Sequence, residues 1–460
     1  MTDEYEEIIR ARSAAPAAGQ GIVPAALAPH LFPHQRDLTR WALRRCRAAV
    51  FADTGLGKTA IEIEWSAHVS TKGRVLILAP LAVAEQISRE AERWGVAIPY
   101  RREDAGDPIT VTNYEMLHHF DASLFAGVVL DEASILKSYD GATKRALCDA
   151  FVSTPYKLVA SATPAPNDFT ELGNQSEFLG IKSRVEMLAE YFVHDGGSTQ
   201  DWRLKGHAED AFWRWVCTWG AMVKRPSDLG HDDGGFALPP LEIVEHTVPV
   251  DHTTAHAAGM LFASEAQTLN EQRTVRRATM SARVELAAKL AEGDEPALVW
   301  CELNDESAAL TKAIPGAVEV TGSDEPEVKA ERLLAFAGGK SRVLVSKSSI
   351  AGFGLNLQVC NRMIFVGASH SYEQTYQAIR RCWRFGQTRP VTVHVILAET
   401  DGAIIANFKR KQADAEQLSR EMVARMGETM RAEIHGAVRE WNEYQPKQTM
   451  TAPTWARRAR

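Results

Sequence analysis

Short apolar runs alternate with helix-prone stretches twice along the chain, and this alternation constrains the fold more than any other feature of the sequence. The runs of the first series are Ala48–Ala52, Val75–Ala79, Ile109–Thr112, Gly127–Leu130 and Leu158–Ala160. Those of the second series are Ala297–Cys301, Ala317–Val320, Arg342–Val345, Met363–Val366 and Val391–Leu397. Strands that alternate with helices form parallel sheets that helices cover on both faces. The sequence therefore predicts an α/β fold in which two lobes, each built on a parallel sheet, follow one another in tandem.

The segments outside the two series differ from them in composition. Residues 11–29 are rich in Ala and Pro, four tryptophans lie between 202 and 219, and residues 231–240 contain paired glycines and paired prolines. Such compositions mark leaders and linkers. The predicted organisation is a leader over 1–29, a first lobe over 30–185, a Trp-rich helical insertion and linker over 186–240, a second lobe over 241–430 and a tail over 431–460. Stacking on nucleic-acid bases is the alternative for the four tryptophans, which we expect to pack a small core.

The composition excludes several classes of protein. With 45% hydrophobic and 24% charged residues, the 460-residue chain has the composition of a globular protein with more than one domain. A formal net charge of −7 argues against a uniformly basic nucleic-acid-binding protein. The six cysteines lack zinc-site spacing, and the run Val75–Ala84 is too short for a membrane span of about 20 residues. We expect a monomeric, cytoplasmic protein that has no membrane partner.

A glycine loop separates the first apolar run from the helix-prone stretch that follows it. Its sequence, with the last residue of the run, is Ala52-Asp53-Thr54-Gly55-Leu56-Gly57-Lys58-Thr59. In a strand–loop–helix unit of this kind the backbone N–H groups and the helix N-terminus bind phosphate, the lysine reaches the outer phosphates, and the Thr hydroxyl binds Mg²⁺. The loop therefore predicts a nucleotide site with Mg²⁺, and a glycine turn without a ligand is the alternative.

Two carboxylates follow the apolar run that ends at Leu130. Asp131 and Glu132 stand at the predicted carboxyl end of a parallel strand, which is the edge where ligands bind in open α/β sheets. Hydrolysis of a terminal phosphate needs one group that holds Mg²⁺ and another that orients the attacking water. We predict that Asp131 holds the metal together with Thr59 and that Glu132 acts on the water. A solvated helix N-terminus is the alternative.

The second series contributes two arginines to the predicted site. Arg381 and Arg384 are three residues apart, a spacing that predicts one face of a helix. Two guanidinium groups aimed together suit a transition state whose charge spreads over phosphoryl oxygens. We predict that both arginines reach the phosphates from the second lobe, and a solvated basic face is the alternative.

The order and spacing of these motifs resemble superfamily 2 DEAD/DEAH-type helicases, and within them the SWI/SNF-like branch of ATP-dependent DNA translocases. The resemblance covers about residues 31–415. The segments that carry it, besides the glycine loop and the acidic pair, are Leu31-Phe32-Pro33-His34-Gln35, Leu78-Ala79-Pro80-Leu81-Ala82-Val83, Asn113-Tyr114-Glu115-Met116-Leu117, Ser161-Ala162-Thr163-Pro164, Ser348 to Leu357 and Gln377 to Gln387.

The resemblance implies a fold, a cofactor and roles for further residues. It implies two RecA-like lobes with ATP and Mg²⁺ in the cleft between them, and Gln35 as the residue that recognises adenine. The residues implied to couple hydrolysis to movement are Ser161, Thr163, Gly352, Gly354 and Gln377. Those implied to touch the nucleic acid are Pro80, Asn113, Ser348 and Asn356.

The sequence departs from the pattern of this branch at three places. Ser134 replaces the Asp or His of the acidic motif, which puts its link to the coupling motif at Ser161 in doubt. Gly367-Ala368-Ser369-His370 stands where the branch usually has a different stretch, and Arg380 stands where an acidic residue is common. The compact length resembles bacterial and bacteriophage forms, so the host cytoplasm is the expected location for a bacteriophage protein.

The resulting hypothesis is an ATPase that couples hydrolysis to translocation on double-stranded DNA. One alternative is a helicase that separates DNA or RNA strands. An alternative of another class is a nucleotide-gated clamp that binds nucleic acid and recruits a nuclease, replication or repair partner. An unrelated P-loop ATPase is the third, and the motifs of the second lobe argue against it.

Overall fold

Two six-stranded parallel sheets form the frame of the protein in a computed structural model. The structure describes residues 20–137, 141–194, 202–249, 277–351, 356–367, 371–399 and 401–434. Each sheet carries helices on its faces, so the predicted fold class, α/β with two parallel-sheet lobes in tandem, is confirmed. The predicted leader and tail lie largely outside the described residues, as do Gly352, Gly354 and residues 368–370.

Lobe 1 is built on a sheet with the strand order β3-β2-β4-β5-β1-β8. Its strands are β1 Arg47–Ala52, β2 Arg74–Ala79, β3 Ile109–Asn113, β4 Phe125–Asp131, β5 Tyr156–Ala160 and β8 Gly220–Val223. A separate antiparallel pair consists of β6 Phe192–His194 and β7 Trp202–Leu204. The helices are α1 Pro33–Arg45, α2 Lys58–Val69, α3 Leu81–Arg93, α4 Ala142–Ala150, α5 Leu172–Leu179, α6 Arg184–Tyr191 and α7 Glu209–Trp219.

Lobe 2 is built on a sheet with the strand order β11-β12-β10-β13-β14-β9. Its strands are β9 Leu241–Val248, β10 Ala297–Cys301, β11 Ala317–Val320, β12 Val343–Lys347, β13 Arg362–Val366 and β14 Val391–Ala398. The helices are α8 Met280–Leu290, α9 Asn304–Ala313, α10 Pro326–Ala337, α11 Ser348–Ala351, α12 Tyr372–Ile379 and α13 Gly402–Ile434. Short 3-10 turns in the two lobes are Tyr114–His119, Ala122–Leu124, Ala133–Lys137, Phe169–Glu171, Gly206–Ala208, Pro226–Leu229 and Gly234–Phe236.

The burial of the central strands explains why their sequences are continuous apolar runs. All six residues of β1 are buried, and β1 pairs in parallel with β5 on one side and with β8 on the other. A strand covered on both faces has no polar side, so its sequence does not alternate. The edge strand β9 has the opposite character, because several of its residues are exposed.

The Trp-rich segment packs against lobe 1. Trp213 and Trp219 of α7 are fully buried in the core of lobe 1, and Trp202 and Trp215 pack half-buried against that core. The strand β8 from the same segment is the sixth strand of the lobe 1 sheet. The sequence places residues 186–240 in an insertion and linker, and in the structure much of this segment completes the first lobe.

The long helix α13 connects the two lobes. Near its start, Phe408 lies against Tyr372 of lobe 2 with ring centroids 5.4 Å apart. Further along, the helix buries Leu418, Met422 and Met426 in the core of lobe 1. Within the described residues, no helix is both long and apolar enough to cross a membrane.

We predict that Trp213→Ala lowers the free energy of unfolding by about 3–5 kcal/mol, because it leaves a cavity in the core of lobe 1. Urea titration followed by circular dichroism measures this change. The control is Trp202→Ala, whose half-buried side chain predicts a loss of about 1 kcal/mol or less. Equal stability of wild type and Trp213→Ala would contradict the core assignment and favour a surface role for this tryptophan.

Candidate functional site

The glycine loop connects the carboxyl end of β1 to the start of α2 and is half-buried. Gly55 and Gly57 have φ angles of 93° and 83°, a region of backbone conformation that glycine adopts without strain. Gly57 is the residue before α2, which begins at Lys58. The Lys58 Nζ donates a hydrogen bond to the Ala52 carbonyl oxygen at 3.1 Å. The Lys58 amine therefore lies across the glycine loop, next to the N-terminus of α2.

Gln35 supports the loop from α1. Its Nε2 donates to the Leu56 carbonyl oxygen at 3.0 Å, and His34 Nε2 lies 3.2 Å from the same oxygen. The Oε1 of Gln35 accepts a hydrogen bond from the Phe32 N–H at 3.0 Å. The structure thus places Gln35 against the glycine loop, while the recognition of adenine by this residue stays a prediction.

An aromatic cluster lies beside Gln35 and joins three distant segments. The Phe236 ring stacks on Phe385 at 4.5 Å and meets the edge of Phe32 at 5.0 Å. Phe32 remains 45% exposed and Phe385 37% exposed, although large apolar side chains are usually covered. Sequence reasoning missed Phe236 and Phe385, because only the fold brings the linker and the second lobe to this place.

The two predicted catalytic carboxylates lie at the end of β4. Asp131 is the last residue of the strand, and Glu132 has a φ angle of 55°, which is strained for a residue other than glycine. Glu132 Oε1 accepts a hydrogen bond from Ser161 Oγ at 3.2 Å, and Ser161 Oγ accepts one from the Thr163 N–H at 3.1 Å. The acidic pair is therefore linked directly to the predicted coupling residues, without an acidic side chain at position 134.

Burial controls the electrostatics of these carboxylates. It raises the pKa of Glu132 to about 7 and also raises the pKa of Asp131, while the positive charge of Lys58 opposes both shifts. Sequence reasoning missed Glu62 of α2, which is fully buried beside them. Its pKa lies well above the ordinary value, first because of burial and then because of the charge of Asp131. No motif marks Glu62, since its position within a helix does not show which part of the core its side chain faces.

The two predicted arginines come to this cleft from lobe 2. Burial lowers the pKa of Arg381 to about 10; the charge of Arg384 adds to that shift, whereas Glu132 opposes it. The pKa of Arg384 is also lowered to about 10, by burial and by the nearby charge of Arg380. Within the described residues neither arginine has an ion-pair partner, and Arg381 Nε is buried without a hydrogen bond. The prediction of one helix face is wrong, because α12 ends at Ile379 and both arginines lie in the turns that follow.

The residues predicted to touch nucleic acid have varied surroundings. Pro80 stands before α3, Ser348 begins α11, and Asn356 is exposed. Asn113 is buried, and its Oδ1 accepts a hydrogen bond from Tyr100 at 2.9 Å. Among the coupling residues Gln377 is buried in α12, whereas Gly352 and Gly354 lie outside the described residues. These nucleic-acid and coupling roles stay predictions.

Comparison with known proteins finds a family model and relatives that match parts of the chain by sequence. Residues 282–386 match the family model "Helicase conserved C-terminal domain". A Xenopus tropicalis protein named "SWI/SNF-related matrix-associated actin-dependent regulator of chromatin subfamily A-like protein 1" is 27% identical over 166 residues, which are 33% of this chain and 18% of that protein. The Danio rerio "Chromodomain-helicase-DNA-binding protein 1-like" is 21% identical over 429 residues, or 79% of this chain and 41% of that protein.

One solved structure in the comparison is the "Sulfolobus solfataricus SWI2/SNF2 ATPase core in complex with dsDNA". It has a TM-score of 0.43 and 16% identity, and the match covers 88% of this chain and 99% of that chain. The chain spans less than half the length of the curated relatives described above. By sequence, lobe 2 is similar to helicase C-terminal domains, and about a third of the chain is similar to a SWI/SNF-related protein.

We predict that Gly57→Ala weakens nucleotide binding at least about tenfold, because a Cβ there would lie 2.2 Å from Gln35 Nε2 and the positive φ adds strain of about 1–3 kcal/mol. Titration with a fluorescent ATP analogue measures the affinity. Gly95→Ala is the matched control, since Gly95 also has a positive φ but no atom lies within 4 Å of its Cβ position. Equal nucleotide affinity of the two variants would show that the glycine loop is not part of the nucleotide site.

Proposed function

We propose that the protein hydrolyses ATP with Mg²⁺ and couples hydrolysis to translocation along double-stranded DNA. The observation that carries this proposal is the meeting of charges from the two lobes. Lobe 1 contributes Lys58, Asp131 and Glu132 beside a glycine loop. The guanidinium groups of Arg381 and Arg384, which have no ion-pair partner among the described residues, enter from lobe 2. Transfer of a phosphoryl group needs this combination, because negative charge builds up on the phosphoryl oxygens.

The residues of the site divide the chemistry among them. The N–H groups of the loop and Lys58 hold the phosphates. Thr59 and Asp131 provide a hydroxyl and a carboxylate, which are hard oxygen donors that fit Mg²⁺. When bound, Mg²⁺ neutralises charge on the phosphate oxygens. Glu132 accepts a proton from the attacking water, and its pKa of about 7 lies near neutral pH, where a general base is most effective.

Arg381 and Arg384 complete the site only when the lobes are together. Their charges stabilise the transition state, so hydrolysis depends on the position of lobe 2 relative to lobe 1. Glu132 also touches Ser161, which connects the reacting centre to the segment that leaves β5. These contacts support a cycle in which ATP binding and hydrolysis close and open the cleft.

We propose DNA as the polymer along which the protein moves, on the basis of the relatives and of the net charge. The Danio rerio relative is named a helicase-DNA-binding protein. With a net charge of −7, contacts to DNA must be confined to a narrow surface, for which we propose Pro80, Asn113, Ser348 and Asn356. The proposal includes translocation along duplex DNA without separation of its strands. It also includes a compact bacterial or bacteriophage form.

Steady-state ATP hydrolysis with duplex DNA, single-stranded DNA and RNA at one stated salt concentration tests the proposal. We expect the greatest stimulation by duplex DNA, displacement of a triplex-forming strand, and no unwinding of the duplex. Unwinding would favour a strand-separating helicase. Tight nucleotide-dependent binding without triplex displacement would favour a clamp, and stimulation by RNA alone would contradict the proposal.

We predict that Lys58→Ala abolishes ATP hydrolysis and leaves the circular dichroism spectrum unchanged, because the lysine is half-buried at the loop and its one hydrogen bond to a described residue is to the Ala52 carbonyl. Phosphate release assays measure the turnover. Lys72→Ala, at an exposed position of lobe 1, is the control and should keep the wild-type rate. Hydrolysis by Lys58→Ala at the wild-type rate would show that the loop is not the phosphate site.

We predict that Arg384→Ala retains ATP binding but lowers the hydrolysis rate about 1,000-fold, since its charge acts on the transition state. Fluorescent-nucleotide titration and single-turnover hydrolysis separate the two effects. Arg420→Ala removes an exposed arginine of α13 and serves as the matched control. A variant that loses nucleotide affinity and keeps its rate at saturating ATP would contradict this role.

A further inference from the structure

A third arginine of lobe 2, Arg380, contacts the phosphate loop itself. One Nη atom of Arg380 lies 3.0 Å from Asp53 Oδ2 and also donates a hydrogen bond to the Thr54 carbonyl oxygen at 2.6 Å. The Tyr376 hydroxyl donates to Asp53 Oδ1 at 2.5 Å. Lobe 2 therefore makes three polar contacts to the loop. Two are to the Asp53 carboxylate and one is to the Thr54 backbone carbonyl.

Arg380 is held firmly on its own side of the cleft. Its guanidinium lies 4.9 Å from the centre of the Trp383 ring and 5.8 Å from that of Tyr376. The Trp383 Nε1 donates to the Pro239 carbonyl oxygen of the linker at 2.7 Å. Arg380 is 2% exposed, and its head group is enclosed by these rings of lobe 2 on one side and by the loop of lobe 1 on the other.

The ion pair between Asp53 and Arg380 is shielded from water. The side chains are only 11% and 3% exposed, and Asp53 Oδ1 also accepts the Thr54 N–H at 2.6 Å. Screening by salt is weak for such a pair, and removal of one partner leaves the other charge buried without compensation. The pair is therefore strongly coupled, in contrast to an exposed surface ion pair.

A second contact between the lobes lies on the same face of α12. Glu373 Oε2 lies 2.8 Å from Lys137 Nζ of lobe 1. Residues 373, 376 and 380 are spaced by three and four positions, which puts them on one side of a helix. One face of α12 and its C-terminal end thus dock on lobe 1 through three polar side chains.

We propose that Arg380 and Tyr376 are positioning residues that hold the phosphate loop of lobe 1 through Asp53 and so fix lobe 2 at the loop. The three neighbouring arginines then have different tasks. Arg380 is already paired with Asp53 and the Thr54 carbonyl through one Nη and orders the loop, although its Nε is buried without a hydrogen bond. Arg381 and Arg384 have no ion-pair partner in the described residues and are left for the phosphates. This inference rests on the proposed ATP site for its effect on catalysis, but the contact itself needs no nucleotide.

The first test is hydrogen–deuterium exchange of the full chain without nucleotide. We expect Arg380→Gln and Asp53→Asn each to increase exchange at least about fivefold in the peptides that cover residues 53–57 and 376–384. The double variant should exchange no faster than either single variant, because both changes break the same contact. Arg380→Lys keeps the charge and should fall between wild type and Arg380→Gln, and Arg420→Gln should match wild type.

The second test is the kinetic effect on ATP hydrolysis. We expect Arg380→Gln to raise the KM for ATP about tenfold and to lower kcat far less than Arg384→Ala does, because the loop loses order while Arg381 and Arg384 remain to reach the bound phosphates. Unchanged exchange in Arg380→Gln, or effects of the two single changes that multiply in the double variant, would overturn the inference. Altered exchange in a protein that lacks ATPase activity even as wild type would instead refute the proposed function and leave the interlobe contact established.

Discussion

Opposite charges that face one another across the cleft are the interaction on which the rest of this structure depends. Lobe 1 buries Glu62 and Asp131 beside the half-buried Glu132, and Lys58 adds a positive charge among them. Burial disfavours the charged form of each carboxyl group. A guanidinium from lobe 2 offsets part of that cost only when the lobes meet, so the electrostatics of the proposed catalytic centre depend on how the two lobes are arranged.

Three parts of the chain hold the lobes in this arrangement. The linker passes from β8 to β9, each of which is an edge strand of its sheet. The helix α13 begins in lobe 2 and buries its second half against lobe 1. The face of α12 supplies polar contacts at the loop. The linker passes beside the glycine loop, where Phe236 packs on Phe32 and Phe385, and α12 contacts the loop directly through Tyr376.

Much of the frame could be predicted from the sequence, because buried parallel strands have continuous apolar runs. Each of the ten predicted runs coincides with an observed strand. The strand β8 was missed, since Gly220–Val223 is short and lies after a Trp-rich helix. The loop and acidic residues are local motifs with a physical reason for every position, so they too could be recognised along the chain.

The contacts between distant segments could not be predicted. The pairing of Asp53 with Arg380 joins residues more than 300 positions apart, and neither the glycine loop nor the unusual arginine at position 380 indicates its partner in the sequence. Arg381 and Arg384 were expected on one helix face, but the helix ends before them. Glu62 and Phe236 likewise acquire their surroundings only from packing.

A structure of the full chain with ADP, Mg²⁺ and aluminium fluoride tests the central claim most directly, because that mixture mimics the phosphoryl group in the transition state. The account predicts that Lys58 from lobe 1 and both Arg381 and Arg384 from lobe 2 bind the fluoride-bearing group, with Glu132 beside the attacking water. A complex in which the nucleotide contacts lobe 1 alone, with both arginines turned to solvent, would contradict it.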